Sequence, residues 1–257
     1  MKLIDTHCHL YDEAFDSDRD EAVRRAIEAG VCMMLLPDID ALSVERQERL
    51  AASNPTVFRE MVGLHPTSIR PEYDHDLEQV ELRLRSNPDR YVAVGEIGMD
   101  LYWDRTYEAE QRDALRRQVL MAQEFGKPVA LHIRKAHNEV FGLLRDMNCS
   151  VYRGVMHCFG GSVQEARRAV ERGSHLGIGG VVTFKNATMA QVVKEIPLEN
   201  LLLETDAPYL APVPYRGKRN ESAFVVEVAK KIAEIKQIPL EQVSEQTTAN
   251  ARDLFRL

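Results

Sequence analysis

Two histidines near the start of the chain, His7 and His9, have the spacing of a metal-binding pair. They follow the apolar residues Leu3 and Ile4, a pattern that predicts a short extended strand. Alternate side chains of a strand point to the same face, so both imidazoles can bind one ion from a single strand. The remaining ligands must then come from segments further along the chain.

Further polar residues that suit a metal centre each end or follow a short apolar run: His65, Glu96, His132, His157, Glu204 and Asp206. A lone buried histidine is more often a hydrogen-bonded core residue, and this reading stays open for His65. Glu96 could instead pair with an arginine, and Asp206 could cap a helix. Buried polar groups cost stability unless they are paired or bind metal. Their concentration at strand ends therefore favours the functional reading.

The predicted ligand set exceeds what one zinc ion takes, which is three or four protein ligands. It consists of His7, His9, Glu96, His132, His157 and Asp206. Two divalent ions are a better match, and a carboxylate such as Glu96 can bridge them. Imidazole ligands favour Zn²⁺ or Mn²⁺, whereas phosphodiester chemistry favours Mg²⁺. The other histidines, His75, His137 and His175, are predicted not to be ligands.

Eight apolar segments alternate with eight helical patterns, and this alternation predicts how the ligands are brought together. The predicted strands are residues 2–7, 31–36, 58–64, 91–96, 129–133, 153–158, 174–179 and 201–205. The predicted helices are residues 18–29, 41–52, 76–85, 108–124, 136–147, 163–172, 187–196 and 223–235. At this length the pattern favours an α/β fold, a (β/α)₈ TIM barrel with an extra C-terminal helical segment at residues 240–255. An open doubly wound sheet is the alternative.

Composition limits the class of protein further. The chain has 257 residues, a formal charge of −7 and a pI near 5.7, so a broad basic face for long duplex DNA is not expected. Four cysteines without CxxC spacing (Cys8, Cys32, Cys149 and Cys158) are typical of reduced thiols. No signal peptide or membrane-spanning run is evident. We expect one domain over residues 1–257, in the cytoplasm and without a membrane partner, and the pattern is compatible with a monomer.

Seven ordered motifs make the chain resemble the TatD-type metal-dependent deoxyribonucleases, which belong to the amidohydrolase-like barrels. They are IDTHCHL at 4–10, GLHP at 63–66, VGEIGMD at 94–100, PVALHIRKA at 128–136, GVMHCF at 154–159, LETDAPYL at 203–210 and YRGKRNE at 215–221. One departure is Ser222, which stands where the family often has proline. It lies at a helix start and affects no expected ligand.

The resemblance implies hydrolysis of phosphodiester bonds in DNA, commonly from the 3′ end, by water activated at a two-metal site. It implies that His7, His9, Asp206 and Glu96 hold one ion. Glu96 is then shared with a second ion, which His132 and His157 also hold. Magnesium is among the ions that support activity in the family.

Catalytic and substrate-binding roles are predicted for the polar and aromatic residues around the ligands. Asp206 is expected to accept a proton from the attacking water, and Glu204 to orient a ligand or to hold a water. His65 and Arg134 are expected to bind a phosphate or to assist the leaving oxygen, with an ordinary solvated charge as the alternative for Arg134. The basic run with Arg216, Lys218 and Arg219 is either a clamp on a DNA end or a solvated turn. Trp103, together with Tyr102, either stacks on a terminal base or packs under the next helix.

Other functions stay open at this point. The same site could hydrolyse an aminoacyl-tRNA ester or a small cyclic amide, because two-metal centres also cleave esters and amides. Many amidohydrolases bridge their metals with a modified lysine where this chain has Glu96, which counts against the amidohydrolases proper. A non-catalytic metal-binding scaffold is a remote third possibility.

Overall fold

A computed structural model describes residues 1–147, 153–185 and 188–257. Its eight strands form one parallel sheet in chain order: β1 Leu3–Asp5, β2 Val31–Leu36, β3 Phe58–Val62, β4 Tyr91–Asp100, β5 Val129–Arg134, β6 Gly154–Met156, β7 Ser174–Ile178 and β8 Leu201–Leu203. The helices are α1 Arg19–Glu28, α2 Val44–Ser53, α3 Tyr73–Ser86, α4 Glu108–Glu124, α5 His137–Asp146, α6 Val163–Glu171, α7 Met189–Glu195, α8 Val225–Lys236 and α9 Leu240–Phe255.

The sheet closes between β8 and β1, so the predicted TIM barrel is confirmed. The Thr6 amide donates to the Leu203 carbonyl at 3.0 Å, and the Asp206 amide donates to the His7 carbonyl at 2.9 Å. Cys8 and Ala207 form a parallel bridge beyond these contacts. Short strands with crossover helices favour this closure, because each helix covers the outer face of the strands it joins.

Successive side chains of each strand point to opposite faces of the sheet, and this alternation divides the core into two layers. Residues such as Leu3, Met34 and Val62 face outward and pack against the helices. The alternating residues face inward and form a second cluster inside the barrel, which includes Ile4, Met33, Leu35, Met61, Ala93, Ala130, Val155 and Leu202. Leu254 and Phe255 of α9 join that inner cluster. The extra C-terminal helix is therefore the apolar floor of the barrel, at the amino ends of the strands.

Several predicted strand bounds are wrong, and one of them brings a further residue to the site. β4 runs four residues beyond the predicted end at Glu96, because Ile97–Asp100 pair in register with Leu131–Arg134 of β5. Gly98 permits this close pairing, since a Cβ at that position would lie 1.9 Å from the His132 carbonyl oxygen. The strands β1, β3, β6, β7 and β8 are shorter than predicted, so His7, His157 and Glu204 follow their strands.

Two predictions fall partly outside the described residues. Cys149 lies there, as does residue 187, the predicted start of the helix that begins at Met189. Cys8, Cys32 and Cys158 are free thiols. Among the described residues, no helix combines the length and the apolar character that crossing a membrane would need.

Candidate metal centre

All six predicted ligands meet at the carboxyl end of the barrel, beneath a cavity of about 1130 Å³. His7 and His9 follow β1, and His157 follows β6 directly. Glu96 and His132 lie on β4 and β5. Asp206 lies three residues beyond β8 with a φ of +59°, a left-handed conformation that is uncommon for aspartate and often found at functional sites.

Glu96 occupies the centre of this cluster and divides it in two. Its Oε2 lies 3.0 Å from His7 Nε2 and 3.8 Å from His9 Nε2. Its Oε1 lies 2.8 Å from His132 Nδ1 and 3.4 Å from His157 Nε2. The carboxylate is only 2% exposed, so each oxygen faces its own group of imidazoles with little solvent between them.

Asp206 completes the group on the Oε2 side. Its Oδ1 lies 3.4 Å from His9 Nε2 and 4.0 Å from His7 Nε2. The same oxygen is 3.9 Å from His157 Nε2, so it also reaches toward the second group. The position suits both a ligand and a proton acceptor beside the cavity.

Glu204 contacts His157 at Nδ1, the ring nitrogen that faces away from Glu96. Its Oε1 accepts a hydrogen bond from the Cys158 amide at 2.6 Å and lies 3.2 Å from His157 Nδ1. The carboxylate is fully buried and passes close to Gly177, where a Cβ would lie 2.1 Å from Glu204 Oε2. The predicted orienting role of Glu204 thus has a direct geometric basis, and the glycine leaves the space for it.

Sequence reasoning assigned no role to two residues that contact ligands. Asp100 Oδ2 lies 3.0 Å from His132 Nε2, and the Tyr11 hydroxyl lies 2.9 Å from His9 Nδ1. Asp100 is four residues after Glu96 and thus on the same face of β4. The spacing of Glu96 and Asp100 predicts a shared face only if the strand continues past Gly98, as it does in the structure.

His65 lies at the same centre, although it was predicted as a substrate contact. Its Nε2 is 3.3 Å from Glu96 Oε1, and its ring meets the His132 ring edge to face with centroids 4.5 Å apart. Donor atoms of His65, Glu96 and His132 all lie within 4.8 Å of one another. Distance alone would thus permit His65 as a further ligand.

Electrostatics show how strongly the carboxylates and imidazoles interact. Burial alone would raise the pKa of Glu96, but the histidines around it, His157 foremost, lower that pKa well below its usual range. Burial opposes protonation of His157, yet the carboxylates of Glu204, Glu96 and Asp206 raise its pKa to about 10. Burial lowers the pKa of His7. The lowered pKa values of Glu96 and Asp206 keep these two carboxylates ionised, so the cluster favours positive charge between them.

The donor atoms of this cluster are of the types that bind divalent cations. Buried imidazole nitrogens and carboxylate oxygens converge in two groups, one with His7, His9 and Glu96 and one with His132 and Glu96. Both ligand types suit ions such as Zn²⁺ and Mn²⁺, and carboxylates also suit Mg²⁺. A cation between the carboxylates would supply the charge that a protonated His157 supplies without it.

One side of the cavity mouth carries a cation stacked on aromatic rings. The Arg134 guanidinium carbon lies 3.9 Å from the Tyr102 ring centroid and 5.1 Å from that of Trp103. All three residues line the cavity, and Trp103 is 72% exposed. The alternative in which Trp103 packs under the next helix is therefore wrong.

The basic run after β8 does not line the cavity. Arg219 was predicted to contact substrate, but its guanidinium pairs with both oxygens of Asp18 at 2.6 and 2.8 Å and stacks on Phe15. It fixes the loop to the start of α1. Arg216 stacks on Phe184, with its guanidinium carbon 4.2 Å from the ring, and Lys218 is exposed.

Comparison with known proteins gives a consistent result. The sequence matches the family model described as TatD related DNase over residues 4–256. It is 37% identical over 256 residues to the metal-dependent hydrolase YabD of Bacillus subtilis strain 168, with 99% of each chain covered. It is 33% identical over 261 residues to the 3′-5′ ssDNA/RNA exonuclease TatD of Pantoea ananatis, with 99% of this chain and 100% of that protein covered.

A solved structure extends this similarity to the whole fold. The crystal structure of YjjV, a TatD homologue from Escherichia coli K12, superimposes with a TM-score of 0.92 at 32% sequence identity. The match covers 99% of this chain and 98% of the other.

Proposed function

Because this chain belongs to the family of TatD-related DNases and is a metal-dependent hydrolase, we propose that it hydrolyses phosphodiester bonds at the 3′ end of single-stranded DNA. The observation that carries the proposal is the division of donors about Glu96 beneath a cavity with a stacked cation and aromatic rings at its mouth. A relative with 33% identity is named as a 3′-5′ exonuclease on single-stranded DNA and RNA, which supports the polarity and the strand type.

Two divalent ions are proposed as cofactors, with Mg²⁺ as the working ion. His7, His9 and Asp206 would hold one ion with Glu96 Oε2, and His132 and His157 would hold the other with Glu96 Oε1. When bound, a pair of such ions lowers the pKa of water and neutralises charge on the phosphoryl oxygens. Because both groups of donors share Glu96, the two ions would act on the same phosphate.

The protein's own residues supply positioning and proton transfer. Asp206 Oδ1 faces both groups of imidazoles, at 3.4 Å from His9 Nε2 and 3.9 Å from His157 Nε2. From there it can accept the proton of the attacking water. Glu204 fixes the ring of His157 through the contact at Nδ1, so that Nε2 points to the centre.

Substrate recognition is proposed for Arg134, Tyr102 and Trp103. No ion pair among the described residues involves Arg134, so its guanidinium is available to a phosphate oxygen while it stays stacked on Tyr102. Exposed aromatic rings stack on unpaired bases without regard to sequence. A base in a duplex is already stacked and paired, so this surface favours a single-stranded end.

The acidic surface is compatible with such a substrate because few phosphates need to be contacted. Arg216 and Lys218 are exposed on the loop after β8, and we propose that they contact the strand outside the cavity. Arg219 is excluded from this set by its ion pair with Asp18. A short contact region of this kind suits a chain that enters by its end.

The experiment that tests the proposal starts from metal-free protein to which Mg²⁺, Mn²⁺ or Zn²⁺ is added. A 5′-labelled single-stranded 20-mer, its duplex and the same strand with a 3′-terminal phosphorothioate are compared. We expect a ladder shortening from the 3′ end on the single strand, slower cleavage of the duplex, and inhibition by the phosphorothioate.

Glu96→Gln is the matched control for contaminating nuclease, and aminoacyl-tRNA and a cyclic amide are run beside the DNA. If no metal supports DNA cleavage, or if the Glu96→Gln preparation cleaves at the same rate, the proposal is wrong. Rapid release of the amino acid from tRNA without DNA cleavage would assign the site to ester hydrolysis instead.

A further inference from the structure

The five histidines around Glu96 differ in the groups that contact their outer nitrogens. A neutral imidazole has one nitrogen with a proton and one with a lone pair. The partner of the outer nitrogen therefore decides which of the two faces the centre. For four of the five rings the structure shows that partner.

His9 presents a lone pair to the centre. Its Nδ1 lies 2.9 Å from the Tyr11 hydroxyl oxygen. That hydroxyl already donates its proton to the Pro37 carbonyl at 2.6 Å, so its oxygen must act as the acceptor toward His9. The proton of a neutral His9 is then on Nδ1, which leaves the lone pair of Nε2 for a cation bound beside Asp206.

His132 and His157 have the same arrangement with carboxylates as partners. His132 Nε2 lies 3.0 Å from Asp100 Oδ2. His157 Nδ1 lies 3.2 Å from Glu204 Oε1, a contact of charge rather than a well-formed hydrogen bond. An ionised carboxylate only accepts hydrogen bonds, so the outer nitrogens carry the protons. The inner nitrogens, which lie 2.8 and 3.4 Å from Glu96 Oε1, can then offer lone pairs to a cation bound between them, as a metal ligand requires.

His65 has the reverse arrangement. It is the N-cap of a 3-10 turn, Pro66–Ser68, and its Nδ1 accepts the backbone N–H of Thr67 at 3.1 Å. A backbone amide can only donate, so Nδ1 must offer its lone pair outward. The Thr67 hydroxyl is also 2.7 Å from Nδ1 and can donate to it. The proton of His65 is then on Nε2, which faces Glu96 Oε1 at 3.3 Å.

We propose that His65 is a positioning residue that donates its Nε2 proton to the shared carboxylate of Glu96, and that it is not a metal ligand. Distance alone groups it with Glu96 and His132 as a possible ligand, but its inner nitrogen has no lone pair to give. The donated hydrogen bond helps to orient Oε1 toward His132 and His157. Only the effect on turnover depends on the proposed nuclease activity; the proton position and the ligand set do not.

The proton position is measured directly by long-range ¹H–¹⁵N correlation NMR on protein labelled with ¹⁵N-histidine and loaded with diamagnetic Zn²⁺ or Mg²⁺. The His65→Gln variant identifies the His65 signals by their loss. We expect the pattern of a ring protonated at Nε2 with a free Nδ1. A ring protonated at Nδ1 with a metal-shifted Nε2 would make His65 a ligand and overturn the proposal.

Metal content gives a second test that needs no substrate. We expect His65→Ala and His65→Gln to bind the same number of metal equivalents as the wild type, as measured by titration and elemental analysis. His132→Ala should lose one equivalent. His75→Ala is the matched control, because His75 is exposed on α3 away from the centre. If the two His65 variants lose as much metal as His132→Ala while circular dichroism shows them folded, the proposal is wrong.

Turnover separates a positioning role from a purely structural one. We expect His65→Ala to lower kcat about 10- to 100-fold, the usual effect of removing a residue that orients a ligand, with KM little changed. His65→Gln should recover part of kcat because its amide keeps an N–H donor. Equal kcat in the two variants would contradict donation by Nε2. If the wild type cleaves no DNA, the proposed function fails, whereas the NMR and metal measurements still test His65.

Discussion

The two ends of the barrel are built from opposite kinds of residue. At the floor, Leu254 and Phe255 of α9 pack against the apolar interior of the strands and are at most 3% exposed. At the mouth, buried histidines and carboxylates surround Glu96, and some of their atoms, such as His7 Nδ1 and Glu204 Oε2, have no hydrogen-bond partner among the described residues. The floor gains stability from burial, whereas the mouth costs stability when no cation is bound.

This difference shows that stability and chemistry depend on separate layers of one sheet. The same strands that contribute Ile4 and Leu202 to the apolar interior deliver His7 and Asp206 a few residues later. Substitutions at the mouth should therefore change chemistry with little effect on folding, and substitutions at the floor should do the reverse.

The largest expected effect is at the centre of the mouth. Glu96→Gln removes the charge that both groups of donors share, so we expect kcat/KM to fall by about a thousandfold or more, which corresponds to several kcal/mol. Circular dichroism and urea unfolding should show a folded barrel. Near-normal turnover, with metal still bound, would contradict the shared role of Glu96.

The floor should respond in the opposite sense. Leu254→Ala leaves a cavity beneath the barrel, and we expect the free energy of unfolding to fall by about 2–5 kcal/mol with kcat unchanged. Leu42→Ala is the matched control, because Leu42 is 87% exposed. If Leu254→Ala lowered kcat as strongly as it lowered stability in a still folded protein, the two layers would not be separate.

A smaller effect is expected from Glu204, which acts through His157. Glu204→Gln removes the negative charge at His157 Nδ1 but keeps an oxygen for the Cys158 amide. We expect metal affinity to fall about 10- to 100-fold, measured by competition with a chelating dye. Glu199→Gln, an exposed glutamate, should leave affinity as it is. An unchanged affinity in Glu204→Gln would remove its orienting role.

At the rim of the mouth, the aromatic side chains of Tyr102 and Trp103 should affect only the binding of DNA. Trp103→Ala removes one stacked base, worth about 1–3 kcal/mol, so we expect a higher KM for single-stranded DNA and little change in kcat. Trp103→Phe should restore most of the loss. The cleavage of a strand whose 3′-terminal nucleotide is abasic, and which therefore has no terminal base to stack, serves as the reference. An equal loss on both substrates would argue against stacking.

The smallest effect is expected at the ion pair that fixes the loop after β8. Hydrogen bonds from Arg219 and then Arg25 lower the pKa of Asp18 below its ordinary value of 3.8. A carboxyl with a lowered pKa stabilises the fold fully above its ordinary pKa of 3.8, and this contribution is lost gradually as the pH falls from about 4 through the lowered pKa. Asp18→Asn should cost at most about 1 kcal/mol at pH 7 and less at pH 3, measured by urea unfolding. An equal cost at both pH values would show that charge is not responsible.

Much of this protein could be predicted from local sequence pattern. The alternation of apolar runs and helical patterns predicted the confirmed barrel, and α4 and α9 begin and end where predicted. The motifs around His7, Glu96 and Asp206 predicted the confirmed family. Period and burial are local properties of a chain, and strand ends meet at one mouth in any barrel of this kind.

Contacts between distant residues could not be predicted in this way. Asp100 contacts His132 only because β4 continues in register with β5, and Arg219 pairs with Asp18 from 201 positions earlier in the chain. The proton on His65 depends on one backbone amide in the turn that follows it. By itself the sequence predicted that the six residues His7, His9, Glu96, His132, His157 and Asp206 reach the mouth. Tertiary structure decided which atom of each residue faces Glu96, because that depends on partners that the fold brings together.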